Sequence, residues 1–215
     1  MRRLLLGLVL CLAAASAAEV IDRIAVTVAR RVIAQSDLLK EIRLSAFLNH
    51  AAPDLGPASR RLAADRLVDR ALFEAEMEIG RYTAPQMKEV EPELEALKKE
   101  RYPSEAAYRQ ALAAYRISEE DLRLYLLQQL SVLRFIDARF GPAVQILEPD
   151  VNHYYTSRFV KQWEKTGKGP VPTLEEARGA IEETLRAEQV DHLVDQWLQE
   201  TRGRTRIEFR PEAFE

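Results

Sequence analysis

The sequence predicts a mainly α-helical protein with a small β element formed by strands near its two ends. Three observations carry this prediction. Apolar residues recur at helical spacing through most of residues 58–202. Residues that commonly cap helices precede several of these stretches. Apolar side chains instead alternate with polar ones within residues 20–28 and 204–210, as they do in half-buried or exposed strands.

The N-terminal strand is the first predicted element. Residues 20–28 are rich in β-branched side chains, with Ile24, Val26 and Val28 at alternate positions, so these three are expected on the buried face. The polar residues 29–31 interrupt the run, and Val32 resumes it. A tight hairpin or a bulge is therefore expected here, although no Asn-Gly or Asp-Gly pair marks the turn.

Capping residues indicate where four of the helices begin. A serine or threonine hydroxyl can accept a hydrogen bond from a free N–H in the first turn of a helix. The caps, with the approximate end of each predicted helix, are Ser36 (to Phe47), Ser104 (to Tyr115), Ser118 (to Arg139) and Thr173 (to Arg202). Asp121 and Glu176 lie three residues after Ser118 and Thr173, as in a capping box.

Two further helices are predicted from apolar spacing. One covers about residues 58–79, and Gly80 is expected to end it. The other covers about residues 86–100 and contains Pro92. That proline either kinks the helix or lies in its first turn, so that the regular part starts late. Gly203 is expected to end the last helix.

The helix over about residues 119–139 is predicted to be central to the core, because it is apolar on more than one side. Gly141-Pro142 is expected to end it. The residues predicted to share its main buried face are Leu122, Leu126, Leu130, Leu133, Ile136 and Phe140.

The first 18 residues are predicted to be a cleavable secretory signal peptide, with a basic start, an apolar middle and a small-residue exit. Export to the bacterial periplasm is therefore expected. No later stretch reaches membrane-spanning length, so the cleaved chain is not expected to span a membrane. Cys11 is the only cysteine and lies in this segment. The net charge of −3 and the dispersed basic residues argue against a nucleic-acid partner.

Motifs for catalysis, metal binding or cofactor binding are missing from the sequence. The three histidines, His50, His153 and His192, stand far from each other and from residues at metal-ligand spacing. No serine occupies a Gly-x-Ser-x-Gly motif, and no glycine-rich phosphate loop occurs. We therefore expect no catalytic residue, no metal and no cofactor.

One aromatic stripe is a candidate binding surface. Tyr155, Phe159 and Trp163 recur every four residues, with Tyr154 beside them. On a helix these side chains share one face. They either pack against the last helix or form a half-exposed surface that binds apolar segments of unfolded chains.

Several segments resemble the N-terminal domain of the SurA-type periplasmic chaperones, a multi-helix domain also similar to the C-terminal domain of trigger factor. Those segments are residues 21–24 followed by 32–38, Leu67-Val68-Asp69-Arg70-Ala71-Leu72, the helix starts at Ser104 and Ser118, and residues 146–155. The resemblance covers about residues 20–157 and 173–210. It implies that a C-terminal helix and strand return to complete the domain, with Ile207 and Phe209 paired to the strand Ile24 to Val28.

The predicted signal peptide and the resemblance together divide the chain. Residues 1–18 are the signal peptide, residues 19–157 the SurA-like helical domain, and residues 173–215 the helix and strand that complete it. Residues 158–172 are a linker, standing where the family carries a parvulin-type peptidyl-prolyl isomerase module. That linker is too short to hold a folded domain.

The function implied by the resemblance is ATP-independent binding of unfolded exported polypeptides, above all outer-membrane proteins, without isomerase activity. Two alternatives stay open. The chain is a protein related to peptidyl-prolyl isomerases, or it is a dedicated assembly subunit that binds one folded partner. A homodimer could form by exchange of the C-terminal helix and strand.

Overall fold

The computed structural model describes residues 22–166 and 169–215. Its helices and its single small sheet confirm the predicted fold class, mainly α with a small β element. The signal peptide predicted for residues 1–18 lies outside the described residues, as do Gly167 and Lys168 of the predicted linker. Within the described ranges, no helix is both long enough and apolar enough to cross a membrane.

The elements follow one another with short connections. The strands are β1 (Ile24–Val28), β2 (Arg31–Ala34) and β3 (Ile207–Phe209). The helices are α1 (Gln35–Leu48), α2 (Pro57–Ile79), α3 (Glu91–Arg101), α4 (Glu105–Tyr115), α5 (Glu119–Phe140), α6 (Glu148–Tyr154), α7 (Val160–Thr166) and α8 (Leu174–Arg204). A π-helical turn, Tyr155–Phe159, joins α6 to α7.

The sheet joins the two ends of the described chain. Its strand order is β2-β1-β3, and both pairings are antiparallel. Val28 lies opposite Ile207 and Val26 lies opposite Phe209, which is the pairing predicted for the returning strand. The sheet is therefore complete only after α8 has brought β3 back to β1.

The predicted hairpin is confirmed, and it also contains a bulge. Ala29 and Arg30 form the turn between β1 and β2, and the register shifts between Ile24 and Val26. The shift places Ala25 at 0% exposure and leaves Ile24 47% exposed. The prediction that Ile24 faces the core is therefore wrong, because a bulge interrupts the alternation of side chains.

Three of the four predicted caps are confirmed. The hydroxyls of Ser104, Ser118 and Thr173 accept hydrogen bonds from the N–H groups of Ala107, Asp121 and Glu176. The cap at Ser36 is wrong, because α1 begins one residue earlier, at Gln35. The N–H of Ala34 donates to the Asp37 carboxylate at 2.8 Å, and the Ser36 hydroxyl bonds to Asp22 instead.

The predictions for Pro92 and Gly203, which concern where two helices start and end, turn out differently. Pro92 lies in the first turn of α3, so the helix starts late and is not kinked, as the second of the two alternatives predicted. The prediction that Gly203 ends the last helix is wrong. It lies within α8, which continues to Arg204.

Two large clusters of buried side chains stabilise the body of the protein. In the first, one face of the sheet packs against α1 and α2, and Phe214 closes it from the C-terminal end. In the second, Phe47 at the end of α1 packs with Tyr108 of α4 and the first half of α5. Both clusters include α1, which therefore links the sheet to the helices.

The helix α5 takes part in two clusters, as expected for a central helix. Its first half packs on α1, α3 and α4, and its second half places Phe135 and Phe140 against Phe73 of α2 and Trp197 of α8. Since the partners change halfway along α5, the buried face rotates. Leu133 is consequently 63% exposed. Its predicted place on the buried face is wrong, and Phe135 is buried there instead.

Residues 146–166 and 169–185, here called the arm, form a smaller buried cluster of their own. The segment from α6 through the π turn packs along the first half of α8. Its fully buried residues are Val151, Ala177 and Ile181. The long helix α8 thus belongs to the arm at its start and to the body at its end.

The hairpin turn generates a prediction about stability. Ala29 has φ of 53°, in the left-handed region that costs a residue with a Cβ about 1 kcal/mol. Ala29→Gly should therefore raise the free energy of unfolding by about 0.5–1 kcal/mol, measured by urea denaturation. Arg30→Gly is the control, since Arg30 lacks a positive φ and should gain nothing. An equal gain in both variants would contradict this explanation.

Candidate functional site: a groove between α2 and α5

A groove runs between α2 and α5. At one end the edge of β2 and the first turns of α1 border a cavity of about 460 Å³. At the other end the connection after α2 borders a cavity of about 270 Å³. Glu74 and Gln128 line both cavities, which therefore adjoin each other. We refer to these two adjoining cavities, with their lining from Val32 to Tyr82, as the groove.

The walls of the groove carry aliphatic side chains that contact water. Val32 is 55% exposed and Leu124 is 45% exposed. Leu124 follows Leu122 and precedes Leu126, which are both buried, so it points away from the core side of α5. Met77, Tyr82 and Val132 line the far end, where they are half-buried.

The floor of the groove contains a buried charge. Glu41 of α1 is only 3% exposed, and its carboxylate accepts hydrogen bonds from the Arg70 guanidinium at 2.8 Å and the Tyr125 hydroxyl at 3.2 Å. The guanidinium also lies 5.2 Å from the centre of the Tyr125 ring. Burial, and then the Glu41 carboxylate, raise the pKa of Tyr125, which keeps its hydroxyl protonated as a donor. This network joins α1, α2 and α5.

Ion pairs border the groove at its β2 end. Arg31 contacts the carboxylates of Glu74 and Glu78 at 2.5 Å, and Lys40 contacts Asp121 at 2.8 Å. The Lys40 hydrogen bond, with help from Ser118, lowers the pKa of Asp121 from its usual 3.8 to about 2.

The lining of the groove carries more acidic than basic groups. Its cations, Arg31, Lys40 and Arg70, are each paired with a carboxylate. The carboxylates that line it are Asp37, Glu41, Glu74, Glu78 and Asp121. The lining is therefore acidic by two charges and offers exposed aliphatic surface beside paired ions.

The predicted aromatic stripe lies on the arm, and its members come together. The rings of Tyr155 and Phe159 stack with centres 5.8 Å apart, and Phe159 stacks on Trp163 at the same distance. Tyr154 lies beside them under the guanidinium of Arg158, 4.7 Å from its ring centre.

Packing accounts for much of this stripe. Tyr154, Tyr155 and Phe159 contact the buried cluster of the arm. The Tyr155 hydroxyl donates to the carbonyl of Pro172 at 2.9 Å, and the Trp163 indole N–H donates to that of Gly169 at 3.4 Å. The stripe thus packs on the arm, as the first of its two interpretations expected, while its side chains stay half-buried. Binding of unfolded chains by these residues stays a prediction.

Sequence reasoning did not identify the groove residues. One available signal was Glu41, which lies three residues after Leu38 on the buried face of α1. An acidic residue on such a face requires a buried partner. The partners Arg70 and Tyr125 lie 29 and 84 residues further along the chain, so local spacing cannot identify them.

The buried pair predicts a large loss of stability when Arg70 is replaced. Arg70→Met keeps most of the apolar stem but leaves the Glu41 carboxylate without its cation. We expect the free energy of unfolding to fall by about 3–5 kcal/mol, measured by urea denaturation.

Two controls accompany this measurement. Arg109→Met removes a solvent-exposed pair with Glu105 and should cause no measurable change. The double variant Glu41→Leu/Arg70→Met removes both charges and should recover most of the loss. If the double variant is as unstable as Arg70→Met, the unpaired charge does not explain the loss.

The lowered pKa of Asp121 predicts a pH dependence. A carboxylate whose pKa is lower in the folded state stabilises the fold above its unfolded pKa and ceases to do so as the pH falls through the folded value. Asp121→Asn should therefore be less stable than the wild type by about 1–2 kcal/mol at pH 7, allowing for the 25% exposure of this side chain. The difference should narrow only below about pH 4. Denaturant titrations at pH 7, 5 and 3 measure it, and a constant difference would contradict the assignment.

Comparison with known proteins adds no assignment. No protein-family model matches the chain, and no curated protein matches its sequence. The geometry of the groove and of the arm therefore carries the functional conclusion.

Proposed function

We propose that this chain is an ATP-independent periplasmic chaperone of the SurA type that holds unfolded exported polypeptides, outer-membrane proteins among them, without isomerase activity. The observation that carries the proposal is the groove between α2 and α5. Its walls expose Val32 and Leu124 to water, and its cations are already paired with carboxylates. Such a surface attracts apolar segments of many sequences.

The dimensions of the groove suit a short extended segment. From Leu67 to Glu78, α2 rises about 16 Å. An extended chain of about five residues has that length. A segment of this size buries a few apolar side chains and dissociates readily, which is what reversible holding of an unfolded chain requires.

The topology gives a second line of support. In the resemblance to SurA-type chaperones, a C-terminal helix and strand return to the N-terminal strand. Here α8 and β3 make that return, and Arg202 of α8 bonds to Asp69 of α2 at 2.6 Å. Asp69 belongs to the segment Leu67 to Leu72 on which the resemblance partly rests.

The aromatic stripe on the arm is a second candidate surface for clients. Tyr154, Tyr155, Phe159 and Trp163 are half-buried, so part of each side chain stays available for contact. The proposal thus places clients in the groove first and allows an additional contact on the arm.

Suppression of aggregation tests the proposal. The chain expected after signal cleavage, residues 19–215, is mixed with an outer-membrane β-barrel protein diluted from urea, and light scattering is followed. We expect near-stoichiometric amounts to suppress aggregation, with no affinity for a natively folded control protein. Leu124→Glu should abolish most of the suppression, because it replaces an exposed apolar side chain with a negative charge in a lining that is already acidic.

A matched control separates the groove from general surface changes. Leu133→Glu alters another exposed leucine of α5 and should leave suppression unchanged. Trp163→Ala measures how much the aromatic stripe on the arm contributes to the suppression of aggregation. Absence of suppression by the wild type would contradict the chaperone proposal. Equal losses in both glutamate variants would contradict the assignment to the groove.

A further inference from the structure

The edge of β2 that faces away from β1 carries main-chain groups that point outward. Two backbone hydrogen bonds establish this orientation. The N–H of Ala29 donates to the carbonyl of Arg206, and the N–H of Arg210 donates to the carbonyl of Ala25, each at 2.8 Å. Ala25, Thr27 and Ala29 therefore direct their polar groups toward β3.

The intervening residues of β1 must direct theirs toward β2, since these directions alternate along a strand. Val28 lies opposite Arg31 and Val26 opposite Ile33, so these pairs carry the hydrogen bonds of the hairpin. Val32 lies opposite Thr27, and these two residues form no main-chain hydrogen bond with each other. The N–H and carbonyl of Val32 therefore point away from β1.

The next outward N–H on this edge is already bound. Ala34 lies two residues after Val32, so its N–H points to the same side of β2. That N–H donates to the Asp37 carboxylate at 2.8 Å. Among residues 22–166 and 169–215, neither main-chain group of Val32 has a hydrogen-bond partner. Val32 thus offers one donor and one acceptor on an edge strand, the arrangement that accepts an added strand.

The groove lies along this edge. Arg31, Val32 and Ile33 all line it, although their side chains alternate between the two faces of the sheet. Consecutive residues can share one cavity in this way when the cavity borders the edge of the strand. The free main-chain groups and the exposed aliphatic walls therefore adjoin the same space.

The charge of the lining selects the occupant. Five carboxylates against three cations line the groove, and each cation is already paired. An acidic segment would meet uncompensated negative charge, whereas a neutral or basic one would not.

We infer that the groove takes an extended segment of an unfolded polypeptide by strand addition to β2, with main-chain hydrogen bonds to Val32 and alternate apolar side chains against α2 and α5. The inference rests on the proposed function and adds its recognition rule. Clients are recognised by extended conformation, alternating apolar side chains and absence of acidic residues, with main-chain bonds that are independent of sequence. Segments that form strands of antiparallel sheets carry this alternation of apolar and polar side chains.

A pair of N-methylated peptides tests the inference. The probe is a labelled ten-residue peptide in which valine alternates with threonine and lysine, and binding is measured by fluorescence anisotropy. Two matched versions carry N-methyl groups on alternate residues, in opposite phases, so that each blocks one edge of the extended peptide. One phase should weaken binding by about tenfold or more, and the other should leave affinity within about twofold.

A variant of the protein gives an independent readout. Val32→Pro removes the outward N–H, and an edge strand tolerates proline at such a position. Val32→Ala is the control, because it also removes the valine side chain but keeps the main-chain N–H. Val32→Pro should bind the unmethylated peptide about tenfold more weakly than Val32→Ala, with the same circular dichroism spectrum and urea midpoint. If Val32→Pro does not fold, the two methylated peptides decide the question alone.

The outcomes separate this inference from the proposed function. Equal binding of the two methylated peptides, with aggregation still suppressed, overturns strand addition and leaves the chaperone proposal standing. The same conclusion follows if the unmethylated peptide does not bind while aggregation is suppressed. If the wild-type protein neither binds the unmethylated peptide nor suppresses aggregation, the proposed function itself is contradicted. A concentration-dependent dimer that Val32→Pro disperses would assign this edge to a second copy of the chain and also overturn the inference.

Discussion

The position of β1 between strands from opposite ends of the described chain is the constraint on which this structure depends. β2 follows β1 directly through a two-residue turn, whereas β3 follows α8, more than 170 positions further along the sequence. In the part of the chain that the structure describes, β2 is paired only with β1, so its far edge is an end of the sheet. That end lies beside α1, α2 and α5, where the groove forms. The same topology that closes the fold therefore leaves an open strand edge next to exposed aliphatic side chains.

The buried network of Glu41, Arg70 and Tyr125 determines what that space can be. A buried ion pair contributes little net stability compared with apolar packing, because both charges lose their hydration. It does impose geometry, since the carboxylate must keep both of its donors. We interpret the network as holding α1, α2 and α5 in a fixed arrangement around a polar floor. A floor of aliphatic side chains could instead collapse and fill the space.

Local chemistry accounts for the parts of the fold that the sequence predicted. Ser104, Ser118 and Thr173 cap their helices because the interaction is complete within three residues. The place of Ser36 was mispredicted since Asp22, fourteen residues earlier, takes its hydroxyl. Ile24 and Leu133 were also misplaced. Ile24 is exposed because a bulge in the β1-β2 pairing interrupts the alternation of side chains. Leu133 is exposed because the helices that pack on α5 change halfway along it.

The candidate sites divide in the same way. Tyr155, Phe159 and Trp163 were found because their spacing of four is visible in the sequence, and they do stack. The groove depends on residues from β2, α1, α2 and α5, which no local pattern connects. One sequence signal for the groove was Glu41, an acidic residue on the buried face of α1.

Site-directed cross-linking reports directly whether unfolded chains bind in the groove. The lone cysteine, Cys11, lies within the predicted signal peptide, so a single cysteine can be introduced into residues 19–215 without a background thiol. Leu124→Cys and Leu133→Cys would each carry a benzophenone label and be irradiated with an unfolded outer-membrane protein. If clients bind in the groove, we expect strong cross-linking from position 124 and little from position 133. Equal yields at the two positions, or a higher yield at 133, would contradict binding in the groove.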